Sequence, residues 1–381
     1  MEKVPLHSLV IVITKNADVD AMLRNKFAVH ESISAKQVHT DLVGLNQRPE
    51  LDSIIRNEVF RRCALKLSLG ERVVFHGSEL TKDQRIALAK MAASQGSPVF
   101  YLIGPDVNQS SINDGFGEII TDAQPVKPVE IKDLRKLFSG ITVVGDVHGD
   151  VPALLEAVSW AKSRNHFIWF LGDIVDYGPN PLDAMNIVHH LVMSGSAGMI
   201  IGNHERKIAK WIQQREDGAK YRLRMSEGNK VTAQALGNLS SVEQMAWIGR
   251  FRSVIARSSL IAGIENITLT HAAIHPDYWT SGRSNEIENY ALYGEPDASA
   301  YPEFKLSHSW IESIPHGQIV IVGHESHGIP YPLTITCQSG GKVVFLDTGC
   351  GKGGPLSTAD VQFGDEDKPL SLGNFNRHVG Q

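Results

Sequence analysis

Three short blocks of glycine followed by a polar residue constrain the fold of this chain most. Each block comes directly after an apolar run typical of a buried strand, and a helical pattern follows it. The blocks are Gly145-Asp146, Gly172-Asp173 and Gly202-Asn203. Alternating strands and helices predict a parallel sheet, and open sheets of this class bind ligands at the carboxyl ends of their strands. We therefore expect these polar side chains to lie near one edge of a sheet.

The alternation extends over most of the chain and predicts an α/β protein of more than one domain. A chain of 381 residues is too long for one ordinary hydrophobic core. The ranges that we expect are a small α/β domain over 1–104, a linker over 105–140, a larger domain over 141–363 and a polar tail over 364–381. The late strands of the larger domain look antiparallel, at 253–262, 267–271, 318–323, 333–338 and 342–347.

Composition and charge exclude several classes of protein. The chain has 37 Lys and Arg against 42 Asp and Glu, a net charge of -5, so no global basic field attracts nucleic acid or anionic membranes. The early apolar run Leu9–Thr14 is too short for a signal peptide or a membrane span. The three cysteines are widely spaced, which suits a reducing compartment. We predict a cytoplasmic protein with no membrane partner, and the sequence indicates no particular protein partner.

Two later histidines, His271 and His324, also follow predicted strands and extend the polar set. Carboxylate, imidazole and amide donors without thiolate favour Mn²⁺, Fe or Zn²⁺ over Ca²⁺ alone or a structural zinc. Asp146 and His148 lie two residues apart, so in an extended segment both side chains would leave the same face and chelate one ion. If Asp173 bridges two ions roughly 3.5 to 4 Å apart, the pair can hold a hydroxide and clamp a phosphoryl oxygen. These donors therefore predict a phosphoesterase centre.

The ordered blocks, with the unbroken segment Gly202-Asn203-His204-Glu205, resemble the calcineurin-like binuclear metallophosphoesterase superfamily over about residues 141–360. They are most similar to the branch that contains serine/threonine phosphatases, diadenosine tetraphosphatases and the phosphatase domain of bacterial polynucleotide kinase-phosphatase. The resemblance implies a sandwich of two sheets flanked by helices. It also implies a hydrolase of phosphate monoesters, with diesters as an alternative, that uses a hydroxide held by two metal ions.

The resemblance implies a role for each residue that matches a family position. His204 would protonate the leaving oxygen, oriented by Asp176, and this agrees with general chemistry because an alkoxide leaves poorly without a proton. The ions expected are Mn²⁺, with Fe, Zn²⁺ or Ni²⁺ as alternatives. The implied metal ligands are Asp146, His148 and Asp173 for the first ion, and Asp173, Asn203, His271 and His324 for the second.

The chain departs from the family pattern on the substrate side. The family usually places a phosphate-gripping arginine after Gly-Asp-x-Val-Asp, whereas Tyr177 stands here before Gly178. Tyr177 and Arg206, which follows the Gly-Asn-His-Glu block, are therefore candidates for substrate binding. Asp347 is a third candidate, because it begins an Asp-Thr-Gly-Cys segment similar to the end of polynucleotide phosphatase and bacterial tetraphosphatase domains.

Residues 1–104 resemble the second half of a P-loop polynucleotide kinase, in the pair Arg61-Arg62 and in the apolar stretch Val99–Ile103. However, no Gly-x-x-x-x-Gly-Lys-Ser/Thr segment follows the strand Leu9–Thr14 to cradle a triphosphate. We interpret this part as a degenerate kinase-like domain that binds nucleic acid, docks a partner or braces the phosphatase. The predicted substrate is a nucleotide or nucleic-acid phosphate end. The alternatives are a serine/threonine protein phosphatase and a binding or scaffold protein that recruits RNA or a partner through the kinase-like half.

Overall fold

The structure is a computed structural model. It describes residues 2–14, 23, 26–43, 52–76, 80–108, 112, 114–121, 123–125, 133–218, 223, 225–280, 284–297, 306–364 and 370–380. Parts of the predicted linker 105–140 and tail 364–381 therefore lie outside the described residues.

Helices cover both halves of the described chain, and none of them is both long and apolar enough to cross a membrane. Several begin at a polar capping residue, as at Thr81, whose side chain accepts a hydrogen bond from the Gln84 backbone N–H. The α-helices are α1 (Ala35–Val43), α2 (Asp52–Ser68), α3 (Lys82–Ser94), α4 (Leu134–Leu137), α5 (Val151–Ser163), α6 (Pro181–Met193), α7 (Asn203–Glu216), α8 (Glu227–Gly237), α9 (Ser241–Ile255) and α10 (Asn285–Tyr293).

Strands alternate with these helices in the first half of the chain and dominate the last third. They are β1 (Glu2–Val4), β2 (Leu9–Ile13), β3 (Ser32–Ile33), β4 (Val73–His76), β5 (Val99–Ile103), β6 (Glu118–Ile120), β7 (Ala123–Pro125), β8 (Gly140–Val144), β9 (His166–Phe170), β10 (Ala197–Met199), β11 (Ile261–Ile264), β12 (Ile267–Thr270), β13 (Glu295–Pro296), β14 (Leu306–Ser307), β15 (Ile319–Val322), β16 (Leu333–Thr336), β17 (Lys342–Phe345), β18 (Leu356–Gln362) and β19 (Ser371–His378).

The chain divides into two compact units, and the first contains residues 1–128, 189–195 and 239–256. Its sheet has the strand order β3-β4-β2-β5-β6, and every neighbouring pair is parallel. Strand β2 is buried along its whole length, because apolar side chains pack on both faces of this central strand. One face packs Leu9 and Ile11 against α2 and α3 through Val59, Cys63 and Leu88. The α/β alternation predicted for this part is thus present, whereas its kinase-like character stays a prediction.

The second unit contains residues 129–188, 196–238 and 257–381 and is built on two five-stranded sheets. The first sheet has the order β10-β9-β8-β18-β19, and the second has the order β11-β12-β15-β17-β16. Buried side chains of both sheets form one core, with Val143 and Trp169 from the first and Leu269, Ile321 and Val344 from the second. Helix α5 packs on strands β8 and β9. The predicted fold class of two sheets with flanking helices is confirmed.

Strand directions in the second sheet differ from the sequence-based expectation. Antiparallel pairing is predicted for the late strands, but β12 is parallel to β15 and β15 is parallel to β17. Only the outer pairs β11/β12 and β16/β17 are antiparallel. The hairpin β16–β17 accounts for the parallel pair β15/β17, because β16 takes the edge position and returns the chain so that β17 inserts parallel to β15. Residues 253–255, predicted as strand, lie at the end of α9.

The carboxyl-terminal stretch contributes to the first sheet. Residues 364–381 are predicted as a tail because they contain few apolar side chains, but β19 lies within them and pairs antiparallel with β18. Backbone hydrogen bonds to a neighbouring strand hold β19 although most of its side chains are not buried. Its last residue, His378, is buried and lies 3.2 Å from the Thr358 hydroxyl.

The buried His378 predicts a pH dependence of stability. Burial lowers its pKa below the ordinary value of 6.5 and outweighs Glu156 and Asp360, which raise it. The unfolded chain then binds a proton at higher pH than the folded chain, so stability is lost as pH falls through about 6.5. Replacing His378 with Gln removes this titration, and we expect urea midpoints of the variant to fall less than those of the wild type between about pH 7.5 and about pH 5.5. Equal losses in the two proteins would contradict this assignment.

Candidate metal centre

The predicted site residues follow five strands of the second unit. Strands β8, β9 and β10 are parallel to one another, and so are β12 and β15, so within each sheet these strands end at the same edge. This explains why side chains far apart in the chain lie together. The residues are Asp146 and His148 after β8, Asp173 and Asp176 after β9, Asn203 after β10, His271 after β12 and His324 after β15.

One group of donor atoms comes from the first sheet. The His148 Nε2 lies 3.8 Å from the Asp173 Oδ2 and 4.0 Å from the Asp146 Oδ2. All three residues are buried, with at most 2% of their surface exposed. Two donors that each lie 2.0–2.2 Å from one ion can be separated by at most about 4.4 Å. These distances therefore fit a shared cation.

A second group of donors shares Asp173 with the first. The His271 Nε2 lies 3.4 Å from the same Asp173 Oδ2 and 3.2 Å from the Asn203 Oδ1. The Nδ1 of His324 lies 3.2 Å from the His271 Nε2. The Asp173 carboxylate thus stands between the two groups, where a ligand that bridges two cations has to be.

Two imidazoles form hydrogen bonds to backbone carbonyls through Nδ1, which leaves their Nε2 atoms, facing the donor groups, available to a metal ion. The His148 Nδ1 lies 2.9 Å from the Val175 carbonyl oxygen, and the His271 Nδ1 lies 2.8 Å from the Leu171 carbonyl oxygen. With each Nδ1 donating to its carbonyl, the neutral form of each ring carries its lone pair on Nε2, which is the form that binds a metal ion. Among the described residues, the buried Nε2 of His148 has no hydrogen-bond partner. An unpartnered buried nitrogen of this kind fits a metal ligand.

Several of the predicted site residues have strained backbone conformations. Among the described residues, seven other than glycine have positive φ, and five belong to this site: His148, Asp173, Asp176, Tyr177 and His324. The extended segment expected over residues 146–148 is therefore wrong, since β8 ends at Val144 and His148 has a φ of 46°. A turn brings the side chains together instead. The carbonyl oxygen of Asp173 holds it by accepting the backbone N–H groups of Val147 and His148 at 3.0 and 2.9 Å.

Two glycines are required by the close approach of carboxylates. A Cβ on Gly202 would collide with the Asp173 carboxylate, and a Cβ on Gly323 would collide with that of Asp146. The absence of these side chains lets the His324 backbone N–H donate to Asp146 at 3.0 Å.

Glu205 organises the turn that carries Asp173, a role that the sequence reasoning did not assign. Its buried carboxylate accepts the backbone N–H groups of Asp173 and Ile174, each at 2.8 Å, and of Val175 at 3.2 Å. It also accepts the N–H of Gly202 at 3.1 Å. The signal was present in the sequence, because Glu205 closes the Gly-Asn-His-Glu block.

Several buried carboxyl groups and imidazoles lie close together in the site, and burial and their charges shift their pKa values. Burial raises the pKa of Asp146, and the nearby carboxylates Asp347 and Asp173 raise it further. Burial lowers the pKa of His271, but the Asp173 carboxylate outweighs it and raises that pKa to about 10. Burial lowers the pKa of His148 to about 4, which favours the neutral imidazole that metals bind. Divalent cations would neutralise this concentration of carboxylates.

His204 and Asp176 form a hydrogen-bonded pair beside the two donor groups. The His204 Nδ1 lies 2.5 Å from the Asp176 Oδ2, and the His204 Nε2 lies 3.8 Å from the Asp173 Oδ2. Burial lowers the pKa of His204, but Asp173 and Asp176 outweigh it and raise that pKa. This geometry directs an Nε2 proton towards the centre and suits a proton donor.

Helix α8 supplies two further contacts to Asp176 that the sequence did not indicate. The Thr232 hydroxyl donates to the Asp176 Oδ1, and the Asn229 side-chain amide donates to its Oδ2. In return, the Thr232 hydroxyl accepts the Asp176 backbone N–H at 3.0 Å. Both residues lie in a polar helix outside the glycine blocks, so no motif marked them.

The three residues predicted to bind substrate differ in their contacts with the proposed metal ligands. Tyr177 packs on the imidazoles of His148 and His204, at ring-centroid distances of 4.8 and 5.3 Å. The Oδ2 of Asp347 is buried and has no hydrogen-bond partner among the described residues. Arg206 is half-buried on α7, and its guanidinium makes no hydrogen bond or ion pair with another described residue. The structure therefore brings Tyr177 and Asp347 to the cluster but shows no such contact for Arg206.

A cation that the sequence reasoning did not single out approaches the same place. The Lys352 Nζ lies 4.4 Å from the centroid of the Tyr177 ring. Burial lowers the pKa of His324 to about 3, with the Lys352 charge among the further causes. The same charge acts on His148 and Asp347. Lys352 is thus near the ligand groups although it is exposed.

Comparison with known families agrees with this geometry. The family model for calcineurin-like phosphoesterases matches residues 140–331, half of the chain. The chain belongs to the calcineurin-like phosphoesterase family. It is a metal-dependent hydrolase acting on phosphoester bonds, and the family uses a binuclear centre of divalent metals.

Individual relatives of this phosphoesterase have low sequence identity. The asymmetrical bis(5'-nucleosyl)-tetraphosphatase PrpE of Halalkalibacterium halodurans is 25% identical over 56% of this chain and 87% of its own length. The protein of the same name from Oceanobacillus iheyensis is 26% identical over 57% of this chain and 86% of its own length. A solved metallophosphoesterase from Sphaerobacter thermophilus has 17% identity and a TM-score of 0.35, covering 63% of this chain and 89% of that one.

Loss of the Thr232 hydroxyl should weaken proton delivery in this phosphoesterase. In Thr232→Val, Asp176 loses one donor and holds His204 less firmly, so we expect kcat to fall by about tenfold on an alkyl phosphate. The loss should be smaller on p-nitrophenyl phosphate, whose leaving group needs less help from an acid. Thr232→Ser keeps the hydroxyl and should restore the activity. An equal loss on both substrates would argue against a role in proton delivery.

Proposed function

We propose that this chain hydrolyses phosphate esters of nucleotides or of nucleic-acid ends through two divalent cations. The observation that carries the proposal is the position of the Asp173 Oδ2, 3.8 Å from the His148 Nε2 and 3.4 Å from the His271 Nε2. The ligand sets are those expected from the sequence: Asp146, His148 and Asp173 for one ion, and Asp173, Asn203, His271 and His324 for the other. Carboxylate, imidazole and amide donors favour Mn²⁺, with Fe, Zn²⁺ or Ni²⁺ as alternatives.

The chain's own residues divide the remaining work. Bound divalent ions would supply charge neutralisation and an activated water. His204 then gives its Nε2 proton to the leaving oxygen, because Asp176 fixes its Nδ1 and directs the Nε2 towards the centre. Glu205 keeps the Asp173 turn in place through its backbone hydrogen bonds.

Lys352 supplies the positive charge for phosphate binding that the family obtains from an arginine at the position of Tyr177. Tyr177 cannot bind a phosphate oxygen through charge, but its ring supports the Lys352 ammonium at 4.4 Å. The segment that carries Lys352 lies against the His148 turn, since the Cys350 Sγ is 3.2 Å from the Val147 carbonyl oxygen. A lysine acts as a point charge on phosphate, without the two-pronged geometry of arginine.

Nucleotide substrates are favoured by the sequence relatives. The curated relatives with 25% and 26% identity are named as bis(5'-nucleosyl)-tetraphosphatases. The resemblance of residues 1–104 to a degenerate polynucleotide kinase, and of the Asp347 segment to polynucleotide phosphatases, supports the same substrate class. A nucleic-acid end therefore remains within the proposal beside dinucleoside polyphosphates.

Metal removal combined with a substrate panel tests the proposal. Chelation should abolish hydrolysis, and Mn²⁺ should restore it, because the two carboxylates, three imidazoles and one amide of the proposed ligand sets act on the substrate through the cations. The panel contains diadenosine tetraphosphate, an oligonucleotide with a terminal phosphate, a 2′,3′-cyclic nucleotide and a phosphopeptide. We expect kcat/KM on the best nucleotide substrate to exceed that on the phosphopeptide by about tenfold or more. A preference for the phosphopeptide would instead support a protein phosphatase, and full activity after chelation would contradict the metal mechanism.

Substitution of Lys352 tests the phosphate grip separately. Lys352→Ala should raise KM by about tenfold, because the substrate loses a charged contact, while metal content stays unchanged. Lys352→Arg keeps the charge and should restore most of the affinity. Lys342→Ala removes an exposed cation from strand β17 and serves as the control. An unchanged KM in Lys352→Ala would show that phosphate is held by other residues.

A further inference from the structure

A second group of metal-binding side chains lies beside the centre and has no part in the proposed reaction. Its members are His308, Glu325 and His327, which are separate from the six proposed ligand residues of the centre. One ligand atom of each lies within 4.8 Å of the others. We propose that these three residues bind an additional divalent transition metal of the Zn²⁺, Co²⁺ or Ni²⁺ class.

The fold brings the three residues together from two segments. His308 directly follows β14, and Glu325 and His327 follow β15 in the turn that begins with His324. The His308 Nε2 lies 2.7 Å from the Glu325 Oε2. That distance is a hydrogen bond, and a cation that replaced its proton would keep the same two atoms as neighbours with a small shift of partly exposed side chains.

An ordinary surface ion pair would explain His308 and Glu325 but not His327. Surface pairs of histidine and glutamate are common and need no ligand. The Nε2 of His327, however, is buried and has no hydrogen-bond partner among the described residues. Buried polar atoms without partners are rare in folded proteins, so this nitrogen indicates a missing ligand.

Phe345, at the end of β17, forms an apolar floor under both imidazoles. Its ring centroid lies 4.5 Å from that of His327 and 5.5 Å from that of His308, both edge to face. These contacts orient the two rings, whose centroids are 5.8 Å apart. Preoriented imidazoles on an apolar surface are typical surroundings of a metal ion.

The donor set selects the class of metal. Two imidazoles and one carboxylate suit Zn²⁺, Co²⁺ and Ni²⁺, whereas Ca²⁺ and Mg²⁺ prefer oxygen donors. Three protein ligands leave a fourth position for water or another small ligand, unlike a closed structural zinc site. Because Glu325 and His327 lie within three residues of His324, an ion here would also restrain the turn that supplies a ligand to the centre.

Zinc stoichiometry tests the proposal without reference to catalysis. Full-length chelated protein is dialysed against Zn²⁺, and the metal content is measured by mass spectrometry for the wild type, His308→Ala, His327→Gln and the double variant. We expect the wild type to retain about one equivalent more than the double variant, and each single variant to bind that equivalent at least tenfold more weakly. His316→Ala is the matched control, because His316 is exposed and bonds only to the Ser339 carbonyl oxygen among the described residues.

A second readout guards against variants that fold poorly. Co²⁺ bound by two imidazoles and a carboxylate gives visible absorption, and its titration should show one fewer strong equivalent in His327→Gln than in the wild type. Phosphatase activity with Mn²⁺ should be retained in that variant and shows that the centre is intact. Equal Zn²⁺ content in the wild type and the double variant, or an equal loss in His316→Ala, would overturn the proposal. Failure of the nucleotide substrate panel would leave this stoichiometry unaffected, so the two proposals fail separately.

Discussion

The arrangement of the candidate site is centred on one buried carboxylate, Asp173. Its Oδ2 lies within 3.8 Å of inner nitrogens of three histidines, one from each of three separate segments. The carboxylates of Asp146 and Asp347 are also buried and raise the electrostatic cost of the site. Buried charges of one sign are tolerated only when they are compensated, and divalent cations provide that compensation most directly. The local glycines and the positive φ angles allow these side chains to approach one another closely.

The strand directions make this arrangement possible. Parallel strands end at a common edge, so short turns after them bring distant residues of the chain together. In the second sheet, the long connection between β12 and β15, which contains α10, returns the chain so that these two strands run parallel. An antiparallel centre would have sent the ends of β12 and β15 to opposite edges, and His271 and His324 could not have met.

The glycine blocks predicted most of the site because they are local. A strand end followed by Gly-Asp or Gly-Asn is visible in the sequence, and the two late histidines follow the same rule. Strand direction was not visible, since it depends on which strands pair across long connections. Asn229 and Thr232 were missed for a similar reason: they act through the packing of α8 on Asp176, and a polar helix carries no mark of that contact. Lys352 was missed because its position over Tyr177 arises only from the turn around His148.

The hydrogen bonds from α8 to Asp176 have a consequence for how such a protein can change. The proposed metal ligands follow strand ends, whereas Asn229 and Thr232, which contact Asp176, lie in helix α8, which carries none of the proposed ligands. In the proposed mechanism, substitutions in that helix change the rate of hydrolysis for leaving groups of high pKa without removing a metal ligand. The range of substrates can therefore evolve separately from metal binding.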